Sequence, residues 1–178
     1  MHRAPARLAV VLLTAATLTA CSAGFGGPSR SGSEMTAVPE ATWTPSVDVD
    51  LADREQYAAA LEEGVNATRE QVDVPTLQHD DCLEAVAVDR ATALIGAPDL
   101  VHAPLPPVKQ RCPGGTIAAE NLSRTAHPPQ DVVQAWLDSP SHRDNLVAAD
   151  LRRSAIGCVR DGGSDYAPVL ICSHVFLG

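Results

Sequence analysis

Positive charge is scarce in this 178-residue chain, which carries 13 lysine and arginine residues against 22 aspartate and glutamate residues. Lys109 is the sole lysine. The formal net charge at pH 7 is -9, and no basic patch offsets it. Because an acidic surface repels a phosphate backbone, nucleic acid is not expected among the partners.

Aromatic residues are also few, with two each of Trp, Tyr and Phe, so the folded part can bury one modest core of Ala, Val and Leu. The sequence has no GxSxG motif, no phosphate-binding loop and no CxxC pair. These absences argue against a nucleophile-elbow hydrolase, a nucleotide hydrolase and a cysteine zinc site. The catalytic chemistry that remains is metal-assisted hydrolysis.

The N-terminus has the pattern of a signal peptide. Arg3 and Arg7 precede an apolar run at residues 8–18 that is too short to cross a bilayer as a helix. The run ends in Leu-Thr-Ala-Cys, which favours cleavage before Cys21 and attachment of lipid, including palmitate, to its thiol. Ordinary secretory cleavage near Ala23 is the alternative. Since two or more acyl chains anchor a protein stably, we expect it on the outer face of a bacterial plasma membrane.

Composition divides the chain into three parts. Residues 1–20 are the predicted lipoprotein signal peptide, and residues 21–50 are the lipidated cysteine followed by a flexible linker rich in Gly, Ser, Thr and Pro. Trp43 is expected to pack loosely or not at all. Residues 51–178 are the predicted folded domain.

Apolar periodicity and capping signals predict four helices and three strands in the folded domain. Asp53 with Gln56, and Asp81 with Glu84, read as capping boxes for the first two helices. The predicted helices cover residues 53–75, 81–96, 129–137 and 140–147, and the predicted strands cover residues 116–123, 154–160 and 166–176.

The four cysteines after Cys21 permit three pairings in an oxidising setting. Cys158 and Cys172 are about equally far from the predicted hairpin turn at residues 161–165, so we expect them to be bonded across the hairpin. Closing that loop contributes about 3 kcal/mol by the chain-entropy estimate. Cys82 would then pair with Cys112.

Two residues stand out as carriers of chemistry. Glu120 leaves its strand on an otherwise apolar face, where it needs a cation, a hydrogen-bond network or a metal. A structural partner such as Arg143, or backbone amides, is the alternative to a functional site. His142 is the third residue of the last predicted helix, where the helix N-terminus favours a neutral ring. His79 and His127 look like solvated residues at the ends of elements.

Four motifs follow one another between residues 118 and 159. They are an Ala-Ala-Glu-Asn strand, a Trp-containing helix, a Ser-Pro-Ser-His-Arg-Asp-Asn-Leu segment and an Ile-Gly-Cys-Val strand. This order resembles the CAP superfamily (cysteine-rich secretory proteins, antigen 5 and pathogenesis-related proteins) in its short bacterial form, over residues 51–178. Ala119 stands where the family usually has glycine. The resemblance implies an α+β fold, a three-layer α-β-α sandwich with a small, mainly antiparallel sheet.

The resemblance also implies a cleft containing two histidines and acidic residues. His142 matches one cleft histidine, and His102 is the one histidine in the stretch where the second belongs. With Glu120 they form a possible site for a divalent metal such as zinc, and the same three are the catalytic candidates. Ser139 stands where many eukaryotic members have a second glutamate, with Asp138 beside it, so the cleft set is incomplete.

The expected function is that of a monomeric extracellular binding or interaction module, held to the membrane by its lipid. A cell-envelope protein, a peptide or a lipid is the expected type of ligand. A metal-dependent hydrolase acting on peptides or envelope material is one alternative. Lipid or sterol binding, known in some family members, is the other.

Overall fold

The computed structural model describes residues 39–178. In this part the elements are α1 (Arg54–Gln71), β1 (Gln78–His79), α2 (Asp81–Thr92), α3 (Pro106–Arg111), β2 (Ala118–Thr125), α4 (Pro129–Asp138), α5 (Pro140–Val147), β3 (Arg153–Gly163) and β4 (Pro168–Leu177). The strands form one sheet in the order β1-β3-β4-β2. β1 runs parallel to β3, and the other neighbours are antiparallel. No helix of residues 39–178 is long and apolar enough to cross a membrane.

Helices cover both faces of the sheet because successive side chains of a strand point to opposite faces. On β3, Ile156 and Cys158 join a core with α1, α4 and α5. Ala155, whose side chain points to the opposite face, packs with Leu83 and Val86 of α2. The predicted three-layer α+β sandwich with a mainly antiparallel sheet is therefore confirmed.

The helix starts follow from local capping. Asp53 caps α1 by accepting hydrogen bonds from the backbone N–H of Glu55 and Gln56. The predicted start of α2 was one residue late, because Asp80, not Asp81, is the N-cap and accepts from Leu83 N. Two elements were missed: the six-residue α3 in the Pro-rich stretch, and the two-residue β1, which is too short to show periodicity.

Gly157 lets α2 lie directly on β3. A Cβ built at this position would be 2.3 Å from the backbone nitrogen of Val88 and 2.7 Å from the carbonyl carbon of Ala87. Any side chain would push helix and strand apart, so the Ile-Gly-Cys segment fixes the distance between these two layers.

Two disulfides are present, which confirms the expectation of disulfide bonds. Cys158 and Cys172 are directly opposite on β3 and β4, with Cα atoms 4.1 Å apart. Cys82 and Cys112 join α2 to the end of α3, with Cα atoms 5.8 Å apart. The second bond ties down the stretch between α2 and β2.

Arg69 holds the end of α5 against α1. Its side chain is fully buried, and it donates to the carbonyl oxygens of Pro75 and Leu146, each at 2.7 Å, and of Ala148 and Leu151, each at 3.1 Å. Burial lowers the pKa of its guanidinium. Four carbonyl acceptors replace the water that this cation loses.

Residues 39–50, which composition assigns to the linker, include residues that contact the folded domain. Ala41 N donates to Gln134 Oε1 of α4 at 2.9 Å, and Gln71 Nε2 of α1 donates to Thr42 Oγ1 at 2.7 Å. Trp43 is half-buried against the α1 core, and a Cβ at Gly64 would come within 2.6 Å of its ring. The rest of the predicted linker, the signal peptide and Cys21 lie outside the described residues.

Candidate functional site

Glu120 is buried in β2 on the face that α2 covers, with its side chain 2% exposed. Arg90 pairs with both of its oxygens: Nε donates to Oε1 at 2.6 Å and Nη2 donates to Oε2 at 2.9 Å. Ser173 Oγ donates to Oε1 at 2.7 Å, and His102 Nδ1 lies 2.7 Å from Oε2. We call these four residues the Glu120 site. Two partners on each oxygen fill the roughly four lone-pair positions of a carboxylate.

Two opposing effects act on the pKa of Glu120. Burial raises it, but the hydrogen bonds from Arg90, His102 and Ser173 and the charge of Arg90 together outweigh burial, so this pKa lies below its ordinary value. The carboxylate is therefore ionised at neutral pH. A carboxylate whose pKa is lowered in this way is a weak general base.

Arg90 also positions the chain that carries His102. Its Nη2 donates to Ala103 O at 2.7 Å, and its Nη1 donates to Pro104 O at 3.3 Å. The loop after α2 and the strand β2 are thereby joined through one guanidinium. The Arg90–Glu120 pair thus serves to place His102.

His102 lies at the rim of this site, and its charge also acts on His142. His102 uses Nδ1 toward Glu120, and its side chain is 52% exposed. His142 is half-buried in α5. Burial, and then the charge of His102, lower the pKa of His142, so its ring is neutral at neutral pH.

Asn121 fixes α5 against β2 from the face opposite to Glu120. Its Nδ2 donates to the backbone oxygen of His142 at 3.0 Å, and Asn145 Nδ2 donates to its Oδ1 at 2.9 Å. The Glu-Asn pair of β2 therefore reaches both layers of helices. Glu120 holds the loop after α2, and Asn121 holds α5.

The predicted metal ligands Glu120, His102 and His142 fit a metal poorly. Glu120 and His102 touch, but a metal bound to Glu120 would have to displace Arg90 from its oxygens. In residues 39–178, two other sets of His, Cys, Asp or Glu gather their ligand atoms within 4.8 Å: Asp80, Cys82 and Cys112, and His79, Asp81 and Glu84. The cysteines of the first set are oxidised.

Ser139 and Asp138 do not complete the cleft with a second carboxylate. Ser139 Oγ lies 3.5 Å from Ser141 Oγ, and Asp138 Oδ1 accepts from Gln134 Nε2 at 2.8 Å on the exposed side of α4. The helix rotation that separates adjacent residues by about 100° turns Asp138 away from the cleft.

Sequence reasoning missed Arg90 as the partner of Glu120. The alternative of Arg143 is wrong, because Arg143 Nη1 donates to Leu137 O at 3.2 Å instead. A signal was present, since Arg90 lies on the apolar stripe of α2, four residues after Val86. A cation on that stripe marks the helix that must face a buried carboxylate.

An apolar groove of about 360 Å³ lies beside His142, between the stretch after α2 and α4. We call it the β2 groove. It is lined by Leu100, Leu122, Ser123, Arg124, Thr125, His127, Asp131, Val132, Ala135, Trp136, Ser139 and His142.

The floor of the β2 groove is the outer edge of β2, which has a neighbouring strand on one side only. Trp136 Nε1 donates to Leu122 O at 3.1 Å, so the backbone of Leu122 points away from β4. By the alternation of an antiparallel pair, the backbone N–H and C=O of Arg124 point the same way. Ser123 Oγ is also buried without a hydrogen-bond partner among the described residues.

Comparison with known proteins identifies the fold and the family. The model of the CAP family, described as the cysteine-rich secretory protein family, matches residues 63–176. No curated protein matches the chain.

Solved bacterial structures are similar over most of the described chain. An outer surface protein of Borrelia burgdorferi is 25% identical with a TM-score of 0.59, over 70% of this chain and 94% of that one. An extracellular protein containing an SCP domain from Bacillus anthracis is 20% identical with a TM-score of 0.59, over 74% and 45%. A cysteine-rich secretory protein of Staphylococcus aureus is 16% identical with a TM-score of 0.57, over 70% and 39%. The chain thus spans less than half of the last two.

Proposed function

The chain belongs to the CAP family, the cysteine-rich secretory protein family, and from this membership we propose that it is a binding module displayed outside the cell. Its ligand is an extended peptide with apolar side chains, which lies in the β2 groove. A lipid on Cys21 would hold the module at the outer face of the membrane.

Three observations support an extracellular location. The similar solved structures carry the descriptions outer surface protein, cysteine-rich secretory protein and extracellular protein. The sequence has an apolar run that ends in Leu-Thr-Ala-Cys at Cys21, as a lipoprotein signal peptide does. The two disulfides are consistent with an oxidising compartment.

The hydrogen bonds and the lowered pKa of Glu120 favour a binding function over hydrolysis. All of its lone-pair positions are used by Arg90, His102 and Ser173, and its pKa is lowered. It is available neither as a base nor as a metal ligand. The site therefore organises the loop and the sheet around the groove, and binding needs nothing more.

The edge of β2 favours a peptide over a lipid. A peptide that adds as a strand can pair with the outward backbone groups of Arg124 and bring a polar group to Ser123 Oγ. A fatty acid chain leaves these groups unpaired. The apolar walls, formed by Leu100, Val132 and Trp136, suit side chains at every second position of such a strand.

The test is selection from a displayed library of random dodecapeptides against the full-length protein. We expect selected peptides with apolar residues at alternating positions. Ala135→Trp, which fills the groove from α4, should lower the affinity for these peptides at least about tenfold. Ala59→Trp, at an exposed position of α1, is the matched control and should bind like the parent protein.

Three other outcomes would contradict the proposal. If no peptide is selected, and the protein instead binds palmitate in a way that Ala135→Trp blocks, the groove is a lipid site. Peptides that bind both variants equally would place the ligand elsewhere. Hydrolysis of casein or peptidoglycan that is lost in Glu120→Gln would favour the enzyme.

A further inference from the structure

His79 lies in β1, at the opposite edge of the sheet from the β2 groove, and two helices bring three carboxylates to its ring. Its Nδ1 lies 3.0 Å from Glu62 Oε2 of α1. Its Nε2 lies 3.5 Å from Asp81 Oδ1 and 3.7 Å from Glu84 Oε2, both in the first turn of α2. We call these four residues the His79 cluster.

We propose that the His79 cluster is a binding site for one divalent transition metal of the zinc class, with His79 Nε2, Asp81 and Glu84 as its ligands. Zinc lies about 2.0–2.2 Å from nitrogen and oxygen ligands, so in a tetrahedral site the donor atoms are about 3.4 Å apart. The two distances from Nε2 are close to this value, and all three ligand atoms lie within 4.8 Å of one another.

The imidazole distinguishes this cluster from ordinary acidic residues at a helix start. Acidic side chains in a first helical turn are common because they interact with the helix dipole. His79, however, comes from a strand, and its Nδ1 is occupied by a carboxylate from a third element. A carboxylate on the far ring nitrogen is the arrangement that orients metal-binding histidines and leaves Nε2 for the metal.

Glu62 is itself fixed in place. Its Oε1 accepts the backbone N–H of Ile156 in β3 at 2.8 Å, and its side chain is 20% exposed. It is therefore a positioning residue for the ring and not a ligand.

Within the described chain, the cation of this cluster is His79 itself: burial lowers the pKa of its ring, but the hydrogen bond and charge of Glu62 and the charges of Glu84 and Asp81 outweigh burial and raise it. Among residues 39–178, the ion pairs of Glu62, Asp81 and Glu84 are all with His79, and no arginine or lysine pairs with them. When His79 is neutral, three carboxylates share one region with no counter-charge. Three protein ligands on an accessible surface also leave the fourth position of a tetrahedral site for water or a further ligand.

The test is titration of the metal-free full-length protein with zinc at neutral pH, followed by calorimetry. We expect about one equivalent to bind, and His79→Gln to weaken binding at least as much as the 10–100-fold typical of losing a residue that orients a ligand. His127→Gln is the matched control, since His127 is exposed and near one carboxylate, Asp131. His102→Ala with His142→Ala should leave binding unchanged.

Copper in place of zinc gives a second readout that does not depend on affinity. Its electron paramagnetic resonance spectrum should show one imidazole nitrogen, and His79→Gln should remove that coupling while circular dichroism shows an unchanged fold. Absence of uptake, or uptake unaffected by His79→Gln, would overturn the proposal. Uptake lost only in the His102 and His142 double variant would place the metal in the cleft and overturn it as well.

Discussion

The Glu120 site and the His79 cluster both bring a histidine to a glutamate, but they differ in how the negative charge is balanced. At Glu120 the carboxylate is buried and Arg90 supplies the cation through two hydrogen bonds. At His79 the carboxylates are more exposed and no arginine or lysine pairs with them in residues 39–178. A permanent arginine cation leaves a site complete without a metal, whereas an imidazole can exchange its proton for one.

The largest effect is expected from removing the built-in cation. Arg90→Leu would leave Glu120 buried and unpaired, and breaking a buried pair in this way costs about 3–5 kcal/mol of unfolding free energy. Urea unfolding monitored by circular dichroism measures the loss.

Two variants sharpen that result. Arg111→Leu breaks the exposed pair with Asp89, whose side chains are 51% and 65% exposed, and should cost less than about 1 kcal/mol. Arg90→Leu combined with Glu120→Leu removes both charges and should recover most of the stability. If Arg90→Leu behaved like Arg111→Leu, the balance of charge at Glu120 would not be what stabilises the site.

A smaller effect is expected from His174, a histidine with no carboxylate paired to it among residues 39–178. Its ring is fully buried against Phe176, with ring centroids 3.7 Å apart, and neither nitrogen has a hydrogen-bond partner in the described chain. Burial, and then the charge of Arg69, place its pKa well below the ordinary value of 6.5.

Below pH 6.5, the unfolded chain therefore binds a proton at His174 that the folded chain does not bind. Stability should be full above pH 6.5 and fall with decreasing pH between 6.5 and the lowered pKa, by at most about 1.4 kcal/mol per pH unit. His174→Leu should flatten this part of the pH profile of urea unfolding. A profile that stays equally steep would assign the effect to another group.

The smallest effect is expected at the His79 cluster without metal. Glu84→Gln removes one of several mutually repelling carboxylates, and its side chain is 46% exposed, so unfolding free energy should change by no more than about 0.5 kcal/mol. With zinc in excess the parent protein should gain stability by ligand linkage, and Glu84→Gln should gain less. An equal gain in both proteins would exclude Glu84 as a ligand.

The sequence predicts the sandwich well, because helical periodicity, the hairpin turn and the motif order all agree on it. It also predicts that Glu120 needs a partner, since strand parity alone places a carboxylate on an apolar face. It does not identify Arg90 as that partner, because the pairing depends on how α2 crosses the sheet. The sequence also does not predict the carbonyl groups that bind the Arg69 guanidinium or the packing of Trp43 against Gly64, because these contacts join residues far apart in the chain. The sequence predicts His79 to be a solvated residue, because its carboxylate neighbours on α1 and α2 are apparent only in the folded chain.

The most direct test of the account is the protonation state of Glu120, followed by carbon NMR of its side-chain carboxyl in protein labelled on glutamate and assigned with Glu120→Gln. We predict a pKa below the ordinary value of 4.5 and a signal that does not move when zinc is added at neutral pH. A pKa at or above 4.5, or a signal that shifts with zinc, would contradict the claim that Arg90 completes this site.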